Sequence, residues 1–254
     1  MHITTDGIVL RERAVDEFDS ALTLLTQERG VIWAYARGAR KPRSALRVPA
    51  ELLSYSRFVL FTNRDRYQVD KADLNRLFMG VRGDVERLSL AAYFCQITGE
   101  IAPHEEAAGP YLKLLLNTLH LLDTGRRECN FLKPVYELRL MTMAGYMPDL
   151  VACSRCGAYE APAMYFLPQS SCLLCGDCLA HEELREPRER LTPGLLAAMR
   201  HILYATPEKL FQFTLPAPSL GALGEITQRY LLLQLDRRFD TLDFYLTMRG
   251  HIDG

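Results

Sequence analysis

The chain has no stretch approaching the roughly 18 consecutive apolar residues that a membrane-spanning helix requires. Its opening segment, Met1 to Arg13, lacks the basic start and apolar run of an export signal. Both absences predict a cytoplasmic protein with no membrane partner. Low-complexity tracts are also missing. With 48% hydrophobic and 24% charged residues over 254 positions, there is ample apolar side chain for one large domain or two. No Walker loop, GxSxG elbow or HExxH pair occurs, so ATPase, serine-hydrolase and zincin chemistry lack support. Seven cysteines, an odd number without an export signal, do not suggest a disulfide framework. Lysine is scarce, and arginine carries most of the positive charge without loss of phosphate-binding capacity.

What is present divides unevenly. Residues 1–80 hold 13 Lys/Arg against 10 Asp/Glu, and the remainder holds 17 against 21, which together give the net charge of −1. A near-neutral total therefore covers a basic N-terminal part, and nucleic acid responds to local potential rather than to the sum. Five runs in that part are rich in β-branched, leucine or aromatic residues: Ile8–Leu10, Ala21–Thr26, Val31–Ala36, Leu52–Thr62 and Tyr67–Ala72. Breakers or charged clusters separate them at Asp16–Asp19, Glu28–Gly30, Gly38–Pro49 and Asn63–Arg66. Five short strands in about eighty residues suit a small barrel of OB-fold size.

Beyond residue 80 the period becomes helical, through Val85, Leu88, Ala92 and Cys95, then Leu112 to Leu122, then Val135 and Leu138. Thr192-Pro193 reads as a helix start, and Ser219 opens a last long pattern through Leu223, Ile226, Tyr230 and Leu233 to about Met248. The expected class is thus α+β and multidomain. An OB-fold domain over 1–80 precedes a helical domain over 81–254, with a cysteine-rich insert at about 150–182.

That insert carries Cys153-Ser-Arg-Cys156 and Cys175-Gly-Asp-Cys178, two CxxC pairs separated by 18 residues. A CxxC turn lets two thiolates converge on one ion, and two such turns complete a tetrahedral zinc shell. Cys172 competes with Cys178 for the fourth position, and His181 is a further candidate. Cys178 is preferred, because Gly176 and Asp177 suit a tight turn while Leu173-Leu174 look like core. Four thiolates leave no open position, so the zinc would be structural. Cys95 reads as a core residue.

A second local feature is the acid-free stretch Val31–Ala50, which contains Arg37, Arg40, Lys41, Arg43 and Arg47. Gly38 and Pro42 place these cations on a loop, and Trp33 and Tyr35 precede it on one face of a strand. Cations beside aromatic rings are what a single strand needs. A solvated basic loop beside two core aromatics fits the same pattern.

Gly7-Ile-Val-Leu-Arg11, Leu24-Leu25-Thr26, Gly30 and Ala36-Arg-Gly-Ala-Arg-Lys41 resemble the opening of the RecO family, and Cys153-x-x-Cys156-Gly157, Phe166 and Cys175-x-x-Cys178 resemble its zinc-binding segment. Many members have a Gly-Gly pair before the second CxxC, where this chain has Ser171-Cys172. The resemblance implies an OB-fold, a helical domain and an embedded zinc ribbon. It implies binding of single- and double-stranded DNA, strand annealing without nucleotide, and RecA loading with RecR and single-stranded DNA-binding protein. It places DNA contact on Arg37, Arg40 and Lys41, with Arg43 and Arg47 as extensions, and metal on Cys153, Cys156, Cys175 and Cys178. No catalysis is expected. Two other readings compete. A zinc deaminase would use His104-Glu105-Glu106 as its HxE, but Ala152 rather than proline precedes Cys153 and a second CxxC fills the shell. A zinc-ribbon adaptor that binds proteins but not DNA would leave the basic loop unexplained.

Overall fold

The computed structural model describes residues 1–63, 66–182 and 185–252. The chain forms two compact units: Met1–Arg127 together with the chain from Phe239 onward, and Glu128–Arg238.

The first unit opens with β1 (His2–Ala14), β2 (Ser20–Thr26), β3 (Gly30–Ala36), β4 (Tyr55–Asn63) and β5 (Arg66–Arg76), closed into a barrel in the order β1-β2-β3-β5-β4. The expected five-stranded OB-fold barrel is therefore present. β1 is far longer than the run Ile8–Leu10 suggested, because it pairs antiparallel with β2 along one part and with β4 along another. Closure falls to β3 and β5, which run parallel and pair only at Ala34↔Tyr67 and Tyr35↔Gln68. β4 begins at Tyr55 rather than Leu52, since Leu53 adopts a left-handed φ of 66° inside a turn. Arg64 and Asp65, within the breaker expected at Asn63–Arg66, lie outside the described residues.

Alternation sends Val9, Leu22, Leu24, Ile32, Phe58, Leu60 and Val69 into the barrel core. The register shifts between Val9 and Arg11. Leu10 is consequently also buried and packs beside Gly99 of α2 (Val85–Ile101). Around the barrel the unit adds α1 (Met79–Arg82), α3 (Gly109–Asp123) and α8 (Asp240–Ile252). α2 starts where Asp84 accepts a hydrogen bond from the Arg87 N–H, as an N-cap carboxylate does. Gly30 is required where it stands. With φ of 58°, any Cβ there would lie 2.1 Å from the Pro103 carbonyl oxygen, so the chain after α2 can sit directly on β3.

The second unit contains α4 (Cys129–Met143), β6 (Asp149–Cys153), β7 (Met164–Leu167), β8 (Cys172–Cys175), α5 (Gly176–Ala180), β9 (Glu189–Leu191), α6 (Pro193–Tyr204) and α7 (Ala217–Leu235). The four strands form one sheet in the order β6-β8-β7-β9. Thr192 caps α6 through its side-chain oxygen, with Pro193 in the first turn. The single long pattern expected from Ser219 to about Met248 is in fact two helices. Asp236 takes a left-handed φ of 45°, which ends α7, and α8 begins at Asp240 in the other compact unit. Strand gives way to helix after Arg76, whereas the compact units divide at Arg127.

Between α4 and α7 the second unit buries a charged pair. The Lys133 ammonium lies 2.8 Å from Glu137, and Thr227 donates a 2.6 Å hydrogen bond to the other carboxylate oxygen. Glu137 is fully buried and Lys133 nearly so.

Candidate nucleic-acid interface and metal centre

The loop between β3 and β4 is a chain of tight turns. Lys41 N–H donates to Gly38, Ser44 to Lys41, Arg47 to Ser44 and Ala50 to Leu46. Ala39 and Ala50 are buried in the barrel core and Leu46 packs against it, which anchors the loop at three points. Arg37, Arg40, Lys41, Arg43 and Arg47 all remain exposed. The apolar positions of this segment hold the backbone, and its cations face solvent.

A carboxylate fixes the start of the loop. Asp19, before β2, accepts a 2.7 Å hydrogen bond from the Gly38 N–H and another from the Tyr35 hydroxyl. The Tyr35 bond, then the Gly38 N–H, hold its carboxyl below the usual range, and the same Asp19 contact pushes the Tyr35 phenol up. Arg40 is partly structural: its guanidinium donates to the Asp16 carbonyl at 2.9 Å and its N–H to Phe18 at 2.9 Å. Lys41 stands 5.7 Å from the Phe18 ring centroid, a cation–π distance. No hydrogen bond or ion pair ties down the side chains of Arg37, Arg43 and Arg47 among the described residues.

The candidate metal centre is built from two turns. At the first, the Cys153 carbonyl accepts from the Gly157 N–H at 2.9 Å, and Gly157 takes the left-handed φ of 74° that folds the backbone around both sulfurs. At the second, Cys175 caps the short α5, and its sulfur accepts from the Cys178 N–H at 3.4 Å. The four Sγ atoms of Cys153, Cys156, Cys175 and Cys178 lie within 4.8 Å of one another. Cys156 and Cys175 are 3.7 Å apart. A tetrahedron with zinc–sulfur bonds of about 2.3 Å has edges of about 3.8 Å, so this donor set fits such an ion. Cys172 and His181 are outside the group. Cys172 begins β8 and is half-buried, and the Leu173 and Leu174 that follow it are buried, as expected of the core residues they were read to be.

Burial opposes ionisation of Cys153, yet the backbone N–H groups of Cys156, Cys175 and Arg155 outweigh it and bring that thiol down to about 6. Cys178, beside Cys175 and its fellow thiols, is pushed up to about 12. Cys156 is raised as well: the Ala158 N–H favours its thiolate, but the Cys153 thiol and other neighbours outweigh it. Cys95, by contrast, is a core thiol, raised to about 12 by burial alone.

The HxE of the deaminase reading does other work. The His104 ring lies tilted against Trp33, with ring centroids 5.3 Å apart, and Glu105 accepts a 2.6 Å hydrogen bond from the Tyr67 hydroxyl.

The profile described as recombination protein O N terminal matches residues 1–78, and that described as recombination protein O C terminal matches residues 82–243. The chain belongs to the RecO family. Relatives of the whole length agree with this. The DNA repair protein RecO of Acetivibrio thermocellus is 33% identical over 247 residues, covering 97% of each chain. That of Alkaliphilus metalliredigens is 31% identical over 96% of this chain and 98% of its own. That of Symbiobacterium thermophilum is 31% identical over 96% and 97%. A RecO-family protein acts in DNA repair, and four clustered cysteines in this member could hold a metal ion.

Sequence reasoning named the cations and cysteines but passed over several residues that shape the barrel surface. Phe61, 40% exposed, was read only as part of a strand. Tyr67 and Glu105 join across 38 positions, a separation no local pattern reports. Among the described residues no helix is long and apolar enough to cross a membrane.

Proposed function

We propose that this protein is a non-catalytic recombination mediator of the cytoplasm. It binds single- and double-stranded DNA, anneals complementary strands, and assists RecA loading with RecR and single-stranded DNA-binding protein. The observation that carries the reading is the anchored loop of five exposed cations, Arg37, Arg40, Lys41, Arg43 and Arg47, on an OB-fold barrel in a DNA-repair family. A cluster of that kind attracts phosphates whatever the base sequence, as strand annealing requires. We assign zinc to Cys153, Cys156, Cys175 and Cys178. Four thiolates close its shell, so the ion would brace β6, β8 and α5 and leave no position for a reacting water.

The test is fluorescence polarisation of a labelled oligonucleotide with metal-loaded protein at two salt concentrations, followed by a strand-annealing assay without ATP or divalent cation. Binding that weakens with salt, and annealing under those conditions, are expected. No binding even in dilute buffer would reject the DNA reading in favour of a protein adaptor.

A further inference from the structure

At the seam where β3 and β5 pair at only two positions, the barrel surface opens into a cavity of about 530 Å³. Trp33, Tyr35, Phe61 and Tyr67 form its walls, with Arg66 and Gln68 supplying polar groups, and among the described residues no acidic side chain lines it. Ala21 and Ala34 complete the lining. Trp33 is 67% exposed and Phe61 40%, an unusual amount of aromatic surface left in water.

The rings are held in place. The Tyr35 hydroxyl donates to Asp19, the Tyr67 hydroxyl to Glu105, and His104 backs Trp33. Both carboxylates are thereby engaged with the outer edges of the rings. The cavity is also continuous with cationic surface. Strand register sets Arg13 opposite Ala21 and Ala21 opposite Tyr35, while Arg11 lies opposite Thr23 and Thr23 opposite Trp33. Opposed residues of adjacent strands share a face, so two exposed arginines stand beside the aromatics. On the other side Tyr35 leads through Asp19 to Gly38 and the basic loop.

Flat rings in a preorganised slot, hydrogen-bonding groups inside it and cations on both flanks match one ligand chemistry: the π-face and edge of a nucleobase with phosphates running past. A duplex hides its base faces by stacking and cannot use such a slot. We propose that this cavity holds unpaired bases of a single strand, and so distinguishes single from double strands, while the basic loop grips the phosphates of either. The proposal rests on the DNA-binding reading above and assigns the exposed Trp33 and Phe61 to base stacking, with Tyr67, packed against the barrel core, as a fixed wall.

Trp33 is the chain's single tryptophan, so its emission reports on this cavity directly. The experiment titrates full-length, metal-loaded protein with a thymidine homopolymer, an abasic strand of equal length and charge, and a blunt duplex, reading tryptophan emission and polarisation together. The homopolymer should bind about 5- to 160-fold more tightly than the abasic strand, the range for stacking one base, and it alone should change Trp33 emission. Phe61→Ala, which keeps the reporter, and Trp33→Ala should each bring homopolymer affinity towards that of the abasic strand. Equal affinity for the homopolymer and the abasic strand, or saturation by the homopolymer without a change in emission, would overturn the base slot and leave the basic loop standing. If no strand binds in dilute buffer, the DNA-binding reading falls as well.

Discussion

Replacing Arg37, Arg43 and Arg47 together with glutamine removes three of the five loop cations without touching a contact that holds the loop. Arg40, whose guanidinium secures the Asp16 carbonyl, and the buried anchors Ala39 and Ala50 are left intact. If each of the five cations neutralises one phosphate of a single strand, the slope of log affinity against log salt is about −3.5, at about 0.7 per contact. With two cations left it becomes about −1.4. Between 50 and 200 mM salt the unaltered protein should then lose about 130-fold in affinity and the variant only about 7-fold. The assay is polarisation of a labelled strand at four or five salt concentrations, with thermal melting to show that both proteins are folded. A triple variant that keeps the full slope while melting normally would refute the assignment of these side chains to phosphate contact.

Three more outcomes are expected. Cys153→Ser should release the metal and lower the melting temperature, while Cys172→Ser, outside the sulfur cluster, should keep stoichiometric zinc by atomic absorption. In the metal-free protein at pH 7.5, Cys153, at about 6, is already a thiolate, whereas Cys178, at about 12, and the raised Cys156 hold protons. Zinc loading should therefore release at least two protons, and lowering the pH from 8 to 7 should weaken zinc binding at least about 100-fold. Titration calorimetry in buffers of different ionisation enthalpy counts those protons, and a count below two would contradict the ordering. Lys133→Met should cost about 3–5 kcal/mol by leaving the Glu137 carboxylate buried without its cation, and Lys133→Met with Glu137→Leu should recover much of it in denaturant melts.

The barrel strands were legible because their determinants are local. Ala21–Thr26 and Val31–Ala36 are short runs rich in β-branched, leucine or aromatic residues, and breakers stand between the runs. The two CxxC turns were legible for the same reason, since the spacing of each pair lies within one turn of backbone. Charge is equally local, so an acid-free loop with five cations could be read directly from the chain. Positions whose partners are remote could not. The extent of β1 depends on pairing with both β2 and β4, and only Ile8–Leu10 stood out as strand. Lys133 and Glu137 have the spacing of an ordinary exposed i,i+4 pair, and it is packing that buries them. The stripe from Leu223 to Met248 kept a helical period through Asp236, where a single left-handed residue parts α7 from α8.

By itself, then, the amino-acid order determined where most barrel strands and the apolar helical stripes lie, which cysteines could meet at an ion, and where positive charge collects, because each follows from neighbours a few residues apart. The tertiary structure decided which of those elements share a unit, returning α8 to the barrel's unit while α7 stays with the cysteine sheet. It also gathered Trp33, Phe61 and Tyr67 from three strands into one slot. Burial and cross-strand neighbourhood are properties of chain closure, and the two-pair junction of β3 with β5 that opens the slot exists only once the barrel has closed.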